Sequence, residues 1–94
     1  MKDINNKFKL SQDIDILKRG EELPSKKLDY SYFFTTAKYI IVNDVYIYLK
    51  TSEVLRCTLG KEYLKITILT ADIKDCMIEV PYADLGSIDI HLEE

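Results

Sequence analysis

Acid–base and nucleophilic chemistry at neutral pH leans most often on histidine, and this chain has one, His91. A working histidine needs a nucleophile or carboxylate held against it by a rigid shell. Three residues from the last position, His91 is poorly placed for that and is expected to be exposed and inert. Cys57 and Cys76 fall on the apolar side of two alternating runs, beside Leu55 and Leu59 and beside Ile78. Both are expected to pack as small core hydrophobes on neighbouring strands. Two cysteines and one distant histidine do not supply the four ligands of a structural zinc site. A redox pair would require the two strands to align, which spacing does not decide.

The carboxylates Asp72, Asp75, Glu79, Asp84 and Asp89 are scattered, without the Asp/Asn-Gly-Glu spacing of a calcium loop. Nothing in their spacing selects an acid and a base. Gly20, Gly60 and Gly86 stand singly, so there is no phosphate-cradling loop, and no Gly-x-Ser-x-Gly elbow occurs. The expectation is a protein that is not an enzyme and uses no metal or cofactor.

The unusual resource is aromatic. Seven of the ten aromatic residues lie between Tyr30 and Tyr48. A strand period would set Leu28, Tyr30, Tyr32 and Phe34 on one side of one strand. It would set Tyr46 and Tyr48 on one side of another, opposite Val45, Ile47 and Leu49. Such rings either fill a core and its cross-strand pairs or stand out as an exposed stripe, which marks a binding surface. Tyrosine suits the second role because its ring packs while its hydroxyl stays wet. Tyr30, Tyr32, Tyr46 and Tyr48 are the candidate anchors of a protein-binding surface, and Asp72, Asp75, Glu79 and Asp84 its charged part. Lys26, Lys27, Lys38 and Lys50 flank the aromatic runs, and single-strand nucleic-acid binders combine rings with basic groups in that way. Against this stands the net charge of −3, with nine Lys/Arg against seven Asp/Glu in residues 1–50 but four against nine in residues 51–94. An acidic chain is a poor phosphate binder.

The elements that would position these residues follow from length and pattern. Ninety-four residues allow one domain, spanning 1–94, with a single small core. Twelve Ile, seven Tyr and only three Ala favour strands over helices. Ile, Lys, Asn and Tyr together exceed a third of the chain, the mark of an AT-rich coding source such as a low-GC bacterium or its phages. Residues 1–20 read two ways: Phe8/Leu10 and Ile14/Ile16 alternate as in a strand, while Leu10, Ile14 and Leu17 at helical spacing favour a short helix over 11–19. Ser11 would cap it, Asp13 and Asp15 would lie in its first turn, and Gly20 would close it. Strands are expected over 28–34, 39–42 and 45–50, the last two joined by a tight turn at Asn43-Asp44. Leu55–Leu59 and Leu64–Ile68 form a second hairpin through Gly60-Lys61. A polar loop at 71–75 precedes a strand over 76–80 that Pro81 ends, and 87–92 is the last strand.

The run Val80-Pro81-Tyr82-Ala83-Asp84-Leu85-Gly86-Ser87-Ile88-Asp89-Ile90 resembles the stretch leading into the last strand of bacterial pleckstrin-homology-like domains. The resemblance implies a curled β-sheet. It departs from that family in leaving no room after Glu94 for the C-terminal helix that plugs the family's barrel.

The expected architecture is α+β, mostly β: a curled antiparallel sheet or small partly open barrel of about five or six strands with a short N-terminal helix. The expected function is a small non-enzymatic protein-interaction module, an inhibitor or regulator of a host protein acting by surface occlusion. The alternative is a single-stranded nucleic-acid-binding β domain. A homodimer through edge strands is a second way to cover the rings. The N-terminus lacks the apolar stretch of a signal peptide and no run is long enough to span a bilayer, so a cytoplasmic protein with reduced thiols and no membrane attachment is expected.

Overall fold

The computed structural model describes residues 2–70 and 76–93. One helix, α1 (Lys2–Lys18), precedes seven strands: β1 (Ser31–Phe34), β2 (Ala37–Val42), β3 (Val45–Tyr48), β4 (Val54–Leu59), β5 (Tyr63–Leu69), β6 (Cys76–Pro81) and β7 (Ile88–Leu92). Single 3₁₀ turns occupy Ser25–Lys27 and Tyr82–Asp84. The strands form two antiparallel sheets that do not close into a barrel, one in the order β1-β4-β5-β6 and one in the order β3-β2-β7. The fold is therefore α+β and mostly β, with the expected curled sheet split in two. The polar loop expected at 71–75 lies outside the described residues.

The helix is longer than its spacing predicted, starting at Lys2 and not at residue 11. Leu10 and Ile14 are buried, and Leu17 packs at the edge of the core. Gly20 closes the helix as expected, with φ +80. Its N–H donates to the Leu17 carbonyl at 3.0 Å, and the Glu21 N–H donates to Ile16 at 3.1 Å, the paired closure that a left-handed glycine permits. The earlier start puts Asp13 in mid-helix instead of the first turn. The helix touches β1 and β7, one edge strand of each sheet, and the turn at 82–84.

The first strand is shorter than the alternation of Leu28, Tyr30, Tyr32 and Phe34 predicted. Asp29 sits at φ +63, which breaks the extended run and leaves Leu28 and Tyr30 outside the strand and exposed. From Ser31 the alternation holds, and Tyr32 and Phe34 enter the core. They join Ile40, Leu55, Cys57, Leu59, Leu64, Ile66 and Ile90 between the two sheets and the helix. Gly60 is needed at the β4–β5 turn because a Cβ there would come within 2.7 Å of the Tyr63 carbonyl oxygen.

The cysteines part company. Cys57 is buried as expected, whereas Cys76 is exposed at the start of β6. Nor are their strands neighbours. β5 runs between them, Cys57 lying opposite Ile66 and Cys76 opposite Ile68. Two inter-strand spacings, about 10 Å, exceed the reach of a disulfide.

The Asn43-Asp44 turn forms as predicted, with φ +50 and +68. Asn43 does more than tolerate that backbone. Its Oδ1 accepts from the N–H groups of Gly86 (2.6 Å) and Ser87 (3.2 Å), and its Nδ2 donates to the Asp84 carbonyl (2.9 Å). The side chain thus latches the β2–β3 turn to the segment entering β7. Asn43→Ala is expected to lower stability by about 2 kcal/mol, through lost hydrogen bonds and a left-handed alanine. Asn43→Gly, free of the backbone penalty, should lose about half of that. Thermal unfolding of the two variants measures both, and an unchanged melting temperature in each would remove the latch from the account.

Candidate functional site

The β2–β3 hairpin and β7 build the most distinctive surface. A two-residue turn fixes the register, so Tyr39 lies opposite Tyr48 and Ile41 opposite Tyr46. On the other side of β2, Tyr39 lies opposite His91 and Ile41 opposite Asp89. A bulge between Ala37 and Tyr39 sets that second register. Strand alternation then places Tyr39, Ile41, Tyr46, Tyr48, Asp89 and His91 together on the face turned away from the core.

The rings on this face touch one another. Tyr39 is the hub, its centroid 4.3 Å from His91 in a near-parallel stack, 5.4 Å from Tyr48 and 5.7 Å from Tyr46. Tyr46 and Tyr48 are 6.2 Å apart with planes 22° from parallel. Hub contact half-buries Tyr39, while Tyr46 and Tyr48 remain 56% and 70% exposed. His91 Nε2 lies 2.8 Å from Asp89 Oδ2, so the histidine is held by a ring on one side and a carboxylate on its own strand. It is half-exposed and stacked, where an exposed side chain was expected. Val45, expected to face the core with Ile47 and Leu49, is instead 61% exposed at the hairpin tip, beyond the cover of the other sheet. The result is an aromatic platform whose rings already touch one another. It needs little side-chain ordering to dock against another surface.

The other candidate anchors lie elsewhere. Tyr32 is buried at 5% exposure, and its hydroxyl donates to Asp13 Oδ2 at 2.6 Å. It tethers the helix to β1 and is not an exposed anchor. Lys27 Nζ reaches the same carboxylate oxygen at 3.5 Å. Tyr30 is half-exposed and packs edge-on against Tyr32, centroids 4.9 Å apart. Together with Lys9, Lys26 and Lys27, Tyr30 and Tyr32 line a shallow cleft of about 240 Å³. The lysines at 26 and 27 therefore gather around the first sheet and not around Tyr46 and Tyr48. Glu79 is exposed and stands opposite Lys65 in register, and Asp84 is exposed at the end of the second 3₁₀ turn. Asp72 and Asp75 lie outside the described residues. Of the described candidates, Tyr46 and Tyr48 share one face of the second sheet, while Tyr32 and Glu79 belong to strands of the first.

Reasoning from sequence singled out Tyr46 and Tyr48 but missed Tyr39 and His91. The signal for Tyr39 was present, since a tight turn at 43–44 pairs residue 39 with residue 48. No local signal pairs His91 with Tyr39.

Among the described residues no three Cys, His, Asp or Glu side chains gather as a metal site, and no helix is long and apolar enough to cross a membrane. No protein-family model, no curated protein and no solved structure matches this chain.

Proposed function

We propose that this chain is a small non-catalytic module that binds a protein partner through the platform of Tyr39, Tyr46, Tyr48 and His91, and that it inhibits or regulates that partner by occupying its surface. One observation carries the reading: two large rings stand mostly in solvent while being fixed in place by a third. Exposed, preordered tyrosines are the side chains that anchor protein interfaces. The cytoplasm is the proposed location, where the exposed Cys76 stays reduced.

The platform suits a protein better than a single nucleic-acid strand. Asp89 sits within it, where phosphates would be repelled, and Tyr39 already gives one ring face to His91.

Capture of partners from a lysate of the source cells, with and without nuclease, tests this reading. A stoichiometric protein partner should survive nuclease. Tyr46→Ala with Tyr48→Ala should weaken its binding by at least about tenfold. Met77→Ala, at an exposed position on the other sheet, should leave it unchanged. Loss of all partners with nuclease, together with binding that falls steeply with salt, would instead assign the rings to nucleic acid.

A further inference from the structure

The edge of the second sheet carries a second interaction surface made of main chain. β3 is the outer strand in the order β3-β2-β7, so among the described residues its far side has no partner strand. In the hairpin, residues 45, 47 and 49 turn their N–H and C=O groups toward β2; the Leu49 N–H, for example, donates to the Lys38 carbonyl at 3.0 Å. Alternation therefore points the N–H and C=O groups of Tyr46 and Tyr48 outward. Exposed edges are usually blunted by a charge, a proline or a bulge within the strand. The sequence Val45-Tyr46-Ile47-Tyr48 has no charge and no proline, and its pairing with β2 runs without a shift. Exposed charges flank it, Asp44 on one side and Lys50 on the other.

We infer that β3 pairs with β3 of a second copy of this chain, antiparallel about a twofold axis through Ile47. The chemistry of the edge selects that register. Outward-facing residues must meet outward-facing residues, which leaves twofold axes at Tyr46, Ile47 or Tyr48. An axis at Tyr46 would require Asp44, at φ +68, to pair as strand. An axis at Tyr48 would require the Lys50 N–H, which already donates to Glu53 Oε1 at 2.6 Å. The axis at Ile47 uses neither. It sets Tyr46 of each chain against Tyr48 of the other, with main-chain hydrogen bonds in both directions. It also brings Asp44 of each chain opposite Lys50 of its partner, two complementary pairs.

The product is one six-stranded sheet. Its outer face carries the ring platforms of both copies side by side, and no ring is consumed in forming it. The inference does not depend on the platform's having a protein partner, because the edge is closed by main chain and the rings stay exposed.

Sedimentation of the whole chain from micromolar to millimolar concentration should show a monomer–dimer equilibrium. Lys50→Glu, which turns both attractive pairs repulsive, should weaken the dimer by about tenfold. Register is read by cross-linking in a Cys76→Ser background under oxidising conditions. Ile47→Cys places two thiols across the axis, with Cα atoms about 4.5 Å apart and within disulfide range. Val45→Cys places them four residues out of register, about 13 Å apart. Cross-linking of the first variant only is the expected result. A chain that stays monomeric at millimolar concentration, or a Val45→Cys variant that cross-links as readily, overturns the inference. If Ile47→Cys weakens the fold, Lys50→Glu sedimentation still decides it. A partner lost from Tyr46→Ala/Tyr48→Ala in a chain that never dimerises would leave the platform reading standing without this one.

Discussion

Asp13→Ala is expected to lower the unfolding free energy by about 3 kcal/mol, while the same change in a Tyr32→Phe background costs less than about 1 kcal/mol. The argument lies in what each side chain leaves behind. Asp13 is buried, and the Tyr32 hydroxyl donates to it at 2.6 Å. Removing the carboxylate strands a buried hydroxyl with no acceptor, which adds its desolvation cost to the loss of a charge-assisted bond. Once the hydroxyl is gone, the carboxylate has only Lys27, at 3.5 Å and partly in solvent, and such pairs contribute little. Urea unfolding of the four proteins in the cycle gives the coupling directly. Additive losses would mean that the helix is held by Leu10 and Ile14 alone and that the polar tether is incidental.

The second large effect is alkaline. Burial pushes the Cys57 thiol up from 9.0 to about 12. Burial also pushes the Tyr82 hydroxyl up from 10.0 to about 12, helped by the nearby charge of Asp29. Tyr32 is raised too, first by burial and then by its bond to Asp13. In each case the folded protein keeps a proton that the unfolded chain gives up. Stability from these groups is complete below about pH 9 and falls as pH rises through 9 to 12, because there the unfolded state binds fewer protons. With all three engaged the loss per pH unit is at its steepest. Circular dichroism against pH measures the loss. In urea titrations at alkaline pH, Tyr82→Phe should flatten the slope. A fold that holds unchanged to pH 12 contradicts the burial of these groups.

Local chemistry in the sequence wrote out most of the strands. Alternation from Ser31 to Phe34, the Asn43-Asp44 turn, Gly20 at the helix end and Pro81 at the end of β6 all act within a few residues, and each is visible in the order of side chains. What local order does not contain is partnership across the chain. The division into two sheets follows from β1 pairing with β4 while the intervening hairpin waits for β7. That choice is made by long-range packing. The same limit explains the site. Tyr46 and Tyr48 stand out by period, whereas their support comes from Tyr39 across a turn and from His91 across most of the chain. Tyr32 looked the same as its neighbours in sequence. Only a buried carboxylate brought in by the helix draws its hydroxyl inward. Asp29 was unreadable for a different reason, since one residue in a left-handed conformation shortens a strand without changing its hydrophobic pattern.

The placement of β7 has a consequence for how the protein comes into being. Its partner β2 precedes β4, β5 and β6, so all of these are synthesised before β7 arrives to pair with residues 37–42. Emerging from the ribosome, the hairpin must wait with Ile40 and Val42 uncovered on one side and Tyr39 without its stacking partner on the other. Chains interrupted before Ile88 would therefore present a sticky, unfinished sheet, open to proteolysis and unable to form the platform. Pairing with β7 is thus the step that both covers the apolar side of β2 and completes the aromatic stack on its other side.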